Sequence, residues 1–165
     1  IEFMFVRAIA GARKRIFIQT PYFVPSDALL KAVQTAALAR VDVRVLMPRS
    51  SDSRMLTYAS FSYIAECLRA GVKIYLYEAG MLHSKMLLID DDITSVGSAN
   101  FDFRSFEHNF EANLFVYSRE FNQRMADIFM ADLKHSTRVM ASQWGKRPAT
   151  QKAAESVLRL LSPVL

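Results

Sequence analysis

Apolar positions along the chain change period several times, and each change marks an element. Phe5, Ile9 and Ala12 keep helical spacing. Residues 15–20 (RIFIQT) then form a β-branched and aromatic run closed by Pro21 and Pro25, whose missing N–H groups end sheet pairing. Ser26 can cap a helix carrying Leu29, Leu30, Val33 and Ala37, and residues 41–47 return to a strand ended by Pro48. Ser51, Asp52 and Ser53 offer caps for a helix through Leu56, Ala59, Ile64 and Leu68, with Gly71 where a left-handed C-terminal residue belongs. Residues 72–77 (VKIYLY) read as a strand, and residues 83–90 and 93–98 as a hairpin turning at Asp91 and Asp92. A strand over residues 109–117 follows, then a long helix carrying Phe121, Met125, Ile128, Phe129 and Leu133, and a short helix over residues 151–161. Strands alternating with helices predict an α/β domain: a mixed, mainly parallel sheet flanked by helices.

Composition narrows the class. At 165 residues and 52% hydrophobic, the chain is long enough for one domain with a real core, and disorder is excluded. Cys67 is the only cysteine, which removes intramolecular disulfides and cysteine metal clusters, and its apolar helix makes it a small core residue. No stretch approaches the roughly 18 uninterrupted apolar residues of a spanning helix, and the apolar start runs at once into Arg7, Arg13, Lys14 and Arg15, with no cleavage site. The net charge of +5 suits an anionic partner, lipid headgroup or nucleic acid. Because the only early methionine, Met4, falls inside a helical pattern, the sequence is expected to be a piece of a longer protein. Residues 145–150 are its only linker-like stretch.

The chemistry gathers in one place. His83-Ser84-Lys85, then Asp90 after four residues, then Gly97-Ser98-Ala99-Asn100 after six more, repeat the pattern HxK(x)4D(x)6GSxN. Six fixed positions arise by chance in a chain this long with a probability on the order of one in several hundred thousand. On a strand, His83 and Lys85 share a face while Asp90 has the opposite parity. A phosphodiester resists nucleophiles, so its catalyst needs a cation on the phosphoryl oxygens, an uncharged nucleophile and a proton donor for the leaving alkoxide. Lys85 can supply the cation, and Ser98 and Asn100, sharing parity on the returning strand, can hydrogen-bond the same oxygens. His83 can attack phosphorus when neutral or protonate the leaving group when charged. One imidazole cannot easily do both in one step, and neither His108 nor His135 begins a second HxK.

The pattern resembles the HKD motif of the phospholipase D superfamily, and the resemblance continues through Phe101-Asp102-Phe103-Arg104-Ser105 to Asn109-Phe110-Glu111. It implies a phospholipase D-like fold and two HKD motifs facing each other, in one chain or across a homodimer, that form a phosphohistidine resolved by water or an alcohol without metal or other cofactor. Asp90 matches the motif aspartate, more structural than chemical in role, and Glu111 the acid that hydrogen-bonds a catalytic histidine and fixes its tautomer. The runs Thr20 to Pro25, Ala70 to Glu78, Arg104 to Glu111 and Arg159 to Leu165 are similar to the C-terminal half of bacterial cardiolipin synthases. That similarity implies joining of two phosphatidylglycerol molecules into cardiolipin and glycerol at a bacterial membrane. It also implies that residues 1–165 form one HKD domain whose partner, an upstream HKD domain or a homodimer mate, and membrane spans lie elsewhere. A hydrolase or homodimeric nuclease of the same superfamily, and a silent anionic-lipid binding module, are the alternatives. Against nucleic acid, the aromatics do not interleave with Lys and Arg along one strand face.

Other features have plainer readings. Asp90 to Asp92 read as a solvated turn before a metal site, and His108 and His135 as structural or solvated. Phe101, Phe103, Phe106 and Phe110 read as core before acyl-chain lining. Arg104 either binds a lipid phosphate or pairs with Asp102, and Arg13-Lys14-Arg15 read as a charged helix end before a membrane contact. Thr20 and Tyr22 follow a strand where ligand loops of α/β folds collect, which makes them weaker site candidates.

Overall fold

A computed structural model describes residues 1–161; the Ser162 to Leu165 ending of the resemblance lies outside the described residues. The elements run α1 (Glu2–Gly11), β1 (Arg15–Gln19), β2 (Phe23–Val24), α2 (Asp27–Leu38), β3 (Asp42–Pro48), α3 (Arg54–Ala70), β4 (Lys73–Tyr77), β5 (Met86–Ile89) and β6 (Ile93–Gly97). They continue through β7 (Phe101–Asp102), α4 (Phe103–Glu107), β8 (Asn113–Tyr117), α5 (Arg119–Leu133), β9 (Ser136–Arg138), α6 (Ala141–Trp144) and α7 (Ala149–Leu160).

The main sheet has the order β8-β6-β5-β1-β3-β4-β9. Its centre, β1-β3-β4, is parallel, and the β5-β6 hairpin, β8 and β9 add antiparallel ladders on either side. Strands β1, β3, β4 and β6 therefore run one way and β5, β8 and β9 the other. Both faces are covered, which is why β5 reads as an unbroken apolar run, MLLI, buried at every position. Period-2 alternation divides the core accordingly. Ile16, Ile18, Val43, Val45, Ile74, Leu76 and Leu87 meet the face covered by α1, α2 and α3. Phe17, Leu46, Met86 and Leu88 meet Ala126 and Phe129 of α5, with the Phe17 and Phe129 rings stacked at 4.7 Å.

The helix ends follow local chemistry. The hydroxyls of Ser26, Ser53 and Ser118 each accept the N–H three residues on, and Gly71 closes α3 at φ 94°. Several elements depart from the sequence reading. The strand expected over residues 109–117 begins only at Asn113, leaving Glu111 in the preceding loop. The five-residue α4, the two-residue β7 that pairs with β2, the polar β9 and the short α6 carry too few periods to register as patterns.

Candidate active site

The strand directions converge the chemistry on one end of the sheet. At that end lie the segments following β1 (Thr20, Tyr22), β3 (Asp52) and β6 (Ser98 to Asp102), and those preceding β5 (His83, Lys85) and β8 (Glu111). Asp90 lies at the other end, in the β5-β6 turn at φ 49°. There its carboxylate accepts the N–H groups of Arg13, Lys14 and Arg15, while Asp91 pairs with Lys14 and Arg15. The tripeptide Arg13-Lys14-Arg15, which leads into and begins β1, is thus clasped by this turn.

His83 and Lys85 meet, although strand parity is not the cause: both precede β5, in the loop that leaves β4 through Gly80. Lys85 Nζ donates to the His83 carbonyl at 2.8 Å and stands 3.1 Å from Nδ1 and 3.4 Å from Nε2 of the His83 ring. The lysine curls back over the imidazole, so the two groups act at one point. Burial pushes the Lys85 ammonium below the ordinary lysine range, while Glu111, Asp102 and Asp52 pull it back up. Three carboxylates from three separate segments therefore bear on one cation.

The second half of the motif folds against the first. Gly97 lines the same cavity as His83 and Lys85, and Ala99 lines a small void together with Lys85 and Thr20. Ser98 and Asn100 both lie beyond the end of β6. The Ser98 hydroxyl accepts the Ala112 N–H at 3.0 Å and its own N–H donates to the Ala112 carbonyl at 3.0 Å, fixing the residue next to Glu111. Asn100 differs: its side-chain oxygen is buried with no hydrogen-bond partner, capacity that native interiors rarely leave unused. Glu111 accepts from Asn109 Nδ2 at 3.0 Å, and its charge faces Lys85; no hydrogen bond joins it to His83 among the described residues.

Two acids absent from the motif join the site. Asp102, buried, caps α4 by accepting the Ser105 N–H at 2.7 Å, so it is engaged by the helix and not by Arg104. Asp52 accepts the Tyr22 hydroxyl, and Tyr22 in turn packs against the His83 ring. Asp52 had no sequence signal beyond a capping cluster. Of the motif-adjacent aromatics, Phe101 is core, stacked on Phe5 and Phe23, and Phe106 packs on Phe5, whereas Phe110 is fully exposed.

A cavity of about 510 Å³ is lined by His83 and Lys85 together with Met81, Leu82, Met86, Val96, Met125 and Ile128, and its polar wall includes Gln19, Ser84 and Asp132. A cation and an imidazole in a cavity with a largely methionine and aliphatic wall suit a phosphoryl group attached to hydrocarbon.

Comparison with known proteins decides the family. Residues 5–133 match the family model described as cardiolipin synthase, PLD-like domain. The chain belongs to that family. Its phospholipase D-like domain is 47% identical over 165 residues to cardiolipin synthase 2 of Bacillus anthracis, covering 100% of this chain and 32% of that protein. It is 44% identical over 161 residues to a cardiolipin synthase of Clostridium perfringens, covering 98% of this chain and 34% of that one. The chain thus spans about a third of the length of these relatives. Among solved structures, Nuc of Salmonella typhimurium, a phospholipase D family member, superposes with a TM-score of 0.72 at 19% identity, over 84% of this chain and 90% of that chain. Phosphatidylserine synthase of Haemophilus influenzae superposes with a TM-score of 0.77 at 15% identity, over 97% of this chain and 43% of that chain. These likenesses bear out the fold, a phospholipase D-like α/β domain. No described helix is long and apolar enough to cross a membrane.

Proposed function

We propose that this domain supplies one half of a phosphatidyltransferase centre that joins two phosphatidylglycerol molecules into cardiolipin and releases glycerol. The observation that carries it is a single cavity whose wall joins His83 and Lys85 to methionine and aliphatic side chains. A nucleic acid needs no such lining, a diacylglycerol phosphate does. The exposed Phe110 beside Glu111, and the chain's positive charge, suit a bilayer surface bearing anionic lipid.

In this reading Lys85 and Asn100 hold the non-bridging oxygens of the donor phosphate, and Ser98 keeps the Glu111 loop in place. His83 and the histidine of a second HKD motif divide two tasks. One of the two histidines, unprotonated at the attacking nitrogen, forms a bond to phosphorus as the glycerol oxygen leaves, and the other histidine, protonated, gives its proton to that oxygen. The hydroxyl of the second phosphatidylglycerol then attacks phosphorus, its proton returning to the same acid–base histidine while the P–N bond breaks. Glu111 matches the family acid that orients the catalytic histidine, and its charge supports the Lys85 ammonium. The second motif comes from another domain of the same protein or from a homodimer mate, and the assembly works at a bacterial membrane.

The test is mass spectrometry of phosphatidylglycerol vesicles incubated with the full-length protein that carries this domain, beside its His83→Asn variant. Cardiolipin and glycerol from the parent alone support the reading. Phosphatidic acid would make water the acceptor, and cardiolipin from the His83→Asn variant would remove His83 from the chemistry.

A further inference from the structure

No sheet ladder holds His83. It precedes β5 by three positions in an irregular loop and is exposed, yet the role proposed for it requires an imidazole held to about 0.5 Å and 10–20° of the attacking geometry. Among the described residues, two side chains flank the ring. Lys85 is one, but its ammonium is also the group that must turn to a substrate phosphate. The other is Tyr22, whose ring meets the imidazole edge to face at 84°, with centroids 6.4 Å apart.

Tyr22 is itself held from several directions. The residue is 8% exposed, its hydroxyl donates to Asp52, and its carbonyl accepts the Thr20 hydroxyl at 2.8 Å. The Thr20 hydroxyl oxygen also accepts the Phe101 N–H at 3.1 Å, and the N–H of Phe23 donates to Ser60 at 3.0 Å. Burial and the neighbouring Asp52 carboxylate keep the phenol protonated well beyond the ordinary tyrosine range. With its hydroxyl committed to Asp52, Tyr22 offers His83 only hydrocarbon, a wall that leaves the ring nitrogens free for phosphorus and for a proton.

We propose that Tyr22 is a positioning residue for His83 and that Asp52 acts through it, the Asp52–Tyr22 hydrogen bond fixing the phenol ring and the phenol ring fixing the plane of the imidazole. The consequence for rate rests on the phosphatidyl-transfer reading above; the consequence for the order of the ring does not.

Two readouts keep these apart. In the full-length protein, Tyr22→Phe and Asp52→Asn should each lower kcat about tenfold and Tyr22→Leu about a hundredfold, with KM changed less than about twofold. The charge of Asp52 also reaches Lys85, so the double variant is needed: if Asp52 acts through Tyr22, Asp52→Asn costs nothing further in the Tyr22→Phe background. Losses that multiply overturn the route through Asp52. Independently of turnover, relaxation of the His83 ring carbons in the chain labelled at histidine should show a rigid ring that loosens in Tyr22→Leu to an order parameter below about 0.6. His108 and His135 report whether the fold persists, and if Tyr22→Leu unfolds, the smaller loosening expected in Tyr22→Phe and Asp52→Asn takes its place. A His83 ring equally ordered in the folded variants overturns the positioning role, even if the parent enzyme proves to make no cardiolipin.

Discussion

The carboxylate of Asp90 accepts the backbone N–H of Lys14 at 2.7 Å, at the end of β5 opposite Lys85. With the N–H groups of Arg13 and Arg15 on the same carboxylate, Asp90 caps the chain entering β1. Asp90→Ala removes all three bonds and places a β-carbon residue without a compensating side chain at φ 49°. The expected loss is about 1–3 kcal/mol in urea unfolding. Turnover per folded molecule should hold, and a large loss of turnover without a loss of stability would make Asp90 a chemical participant.

Gly97 is required by approach, not by backbone angle. A β-carbon there would lie 2.2 Å from the Ala112 carbonyl oxygen and 2.7 Å from Asn113 Cα, backbone atoms that yield only if β6 and β8 part. Gly97→Ala should cost about 1–3 kcal/mol in the same measurement. It should also loosen the Ser98–Ala112 bonds that hold the Glu111 loop, seen as faster amide exchange at Ala112.

The cation at Lys85 sets an alkaline limit. Since burial lowers its pKa, the charged form is lost at a lower pH than for an ordinary lysine, and kcat/KM of the full-length enzyme should fall correspondingly early as pH rises. Glu111 opposes that shift, so Glu111→Gln should move the alkaline limb further toward neutrality. A limb that stays in place or moves up would mean that Lys85 is not the group titrating.

Glu155 locks the last helix. Its carboxylate, nearly buried, takes Arg147 Nη2 at 2.6 Å and Gln151 Nε2 at 2.9 Å, and the Arg147 guanidinium lies 4.0 Å from the Trp144 ring centroid. Glu155→Ala leaves Arg147 without its partner in a poorly solvated site. Removing one partner of such a pair costs about 3 kcal/mol. The expected readout is loss of amide protection across α7 before the sheet opens, and protection unchanged there would sink the assignment.

Local chemistry was largely legible. Ser26, Ser53, Ser118 and Gly71 each end a helix as their side chains or backbone freedom dictate, and residues 15–20 stop where Pro21 stops them. The β9 strand shows the limit: Ser136-Thr137-Arg138 are polar and exist as a strand because β4 offers an edge and Glu78 a bond to Thr137 at 2.8 Å. Glu111 shows another, since the period-2 reading carried the strand four residues too far and so set Glu111 on a strand instead of in the loop before it.

By itself the sequence singled out the candidate side chains, because HxK and GSxN set imidazole, ammonium and amide in a spacing that chance rarely produces. Only the tertiary structure decided what surrounds them. Asp52 and Tyr22 are 30 residues apart and touch because β1 and β3 are parallel neighbours, while Asp102 and Glu111 reach Lys85 because β6 and β8 bring their loops to the same end of the sheet. Strand order and direction follow from how both apolar faces are buried at once, a property of the whole chain that no local period records.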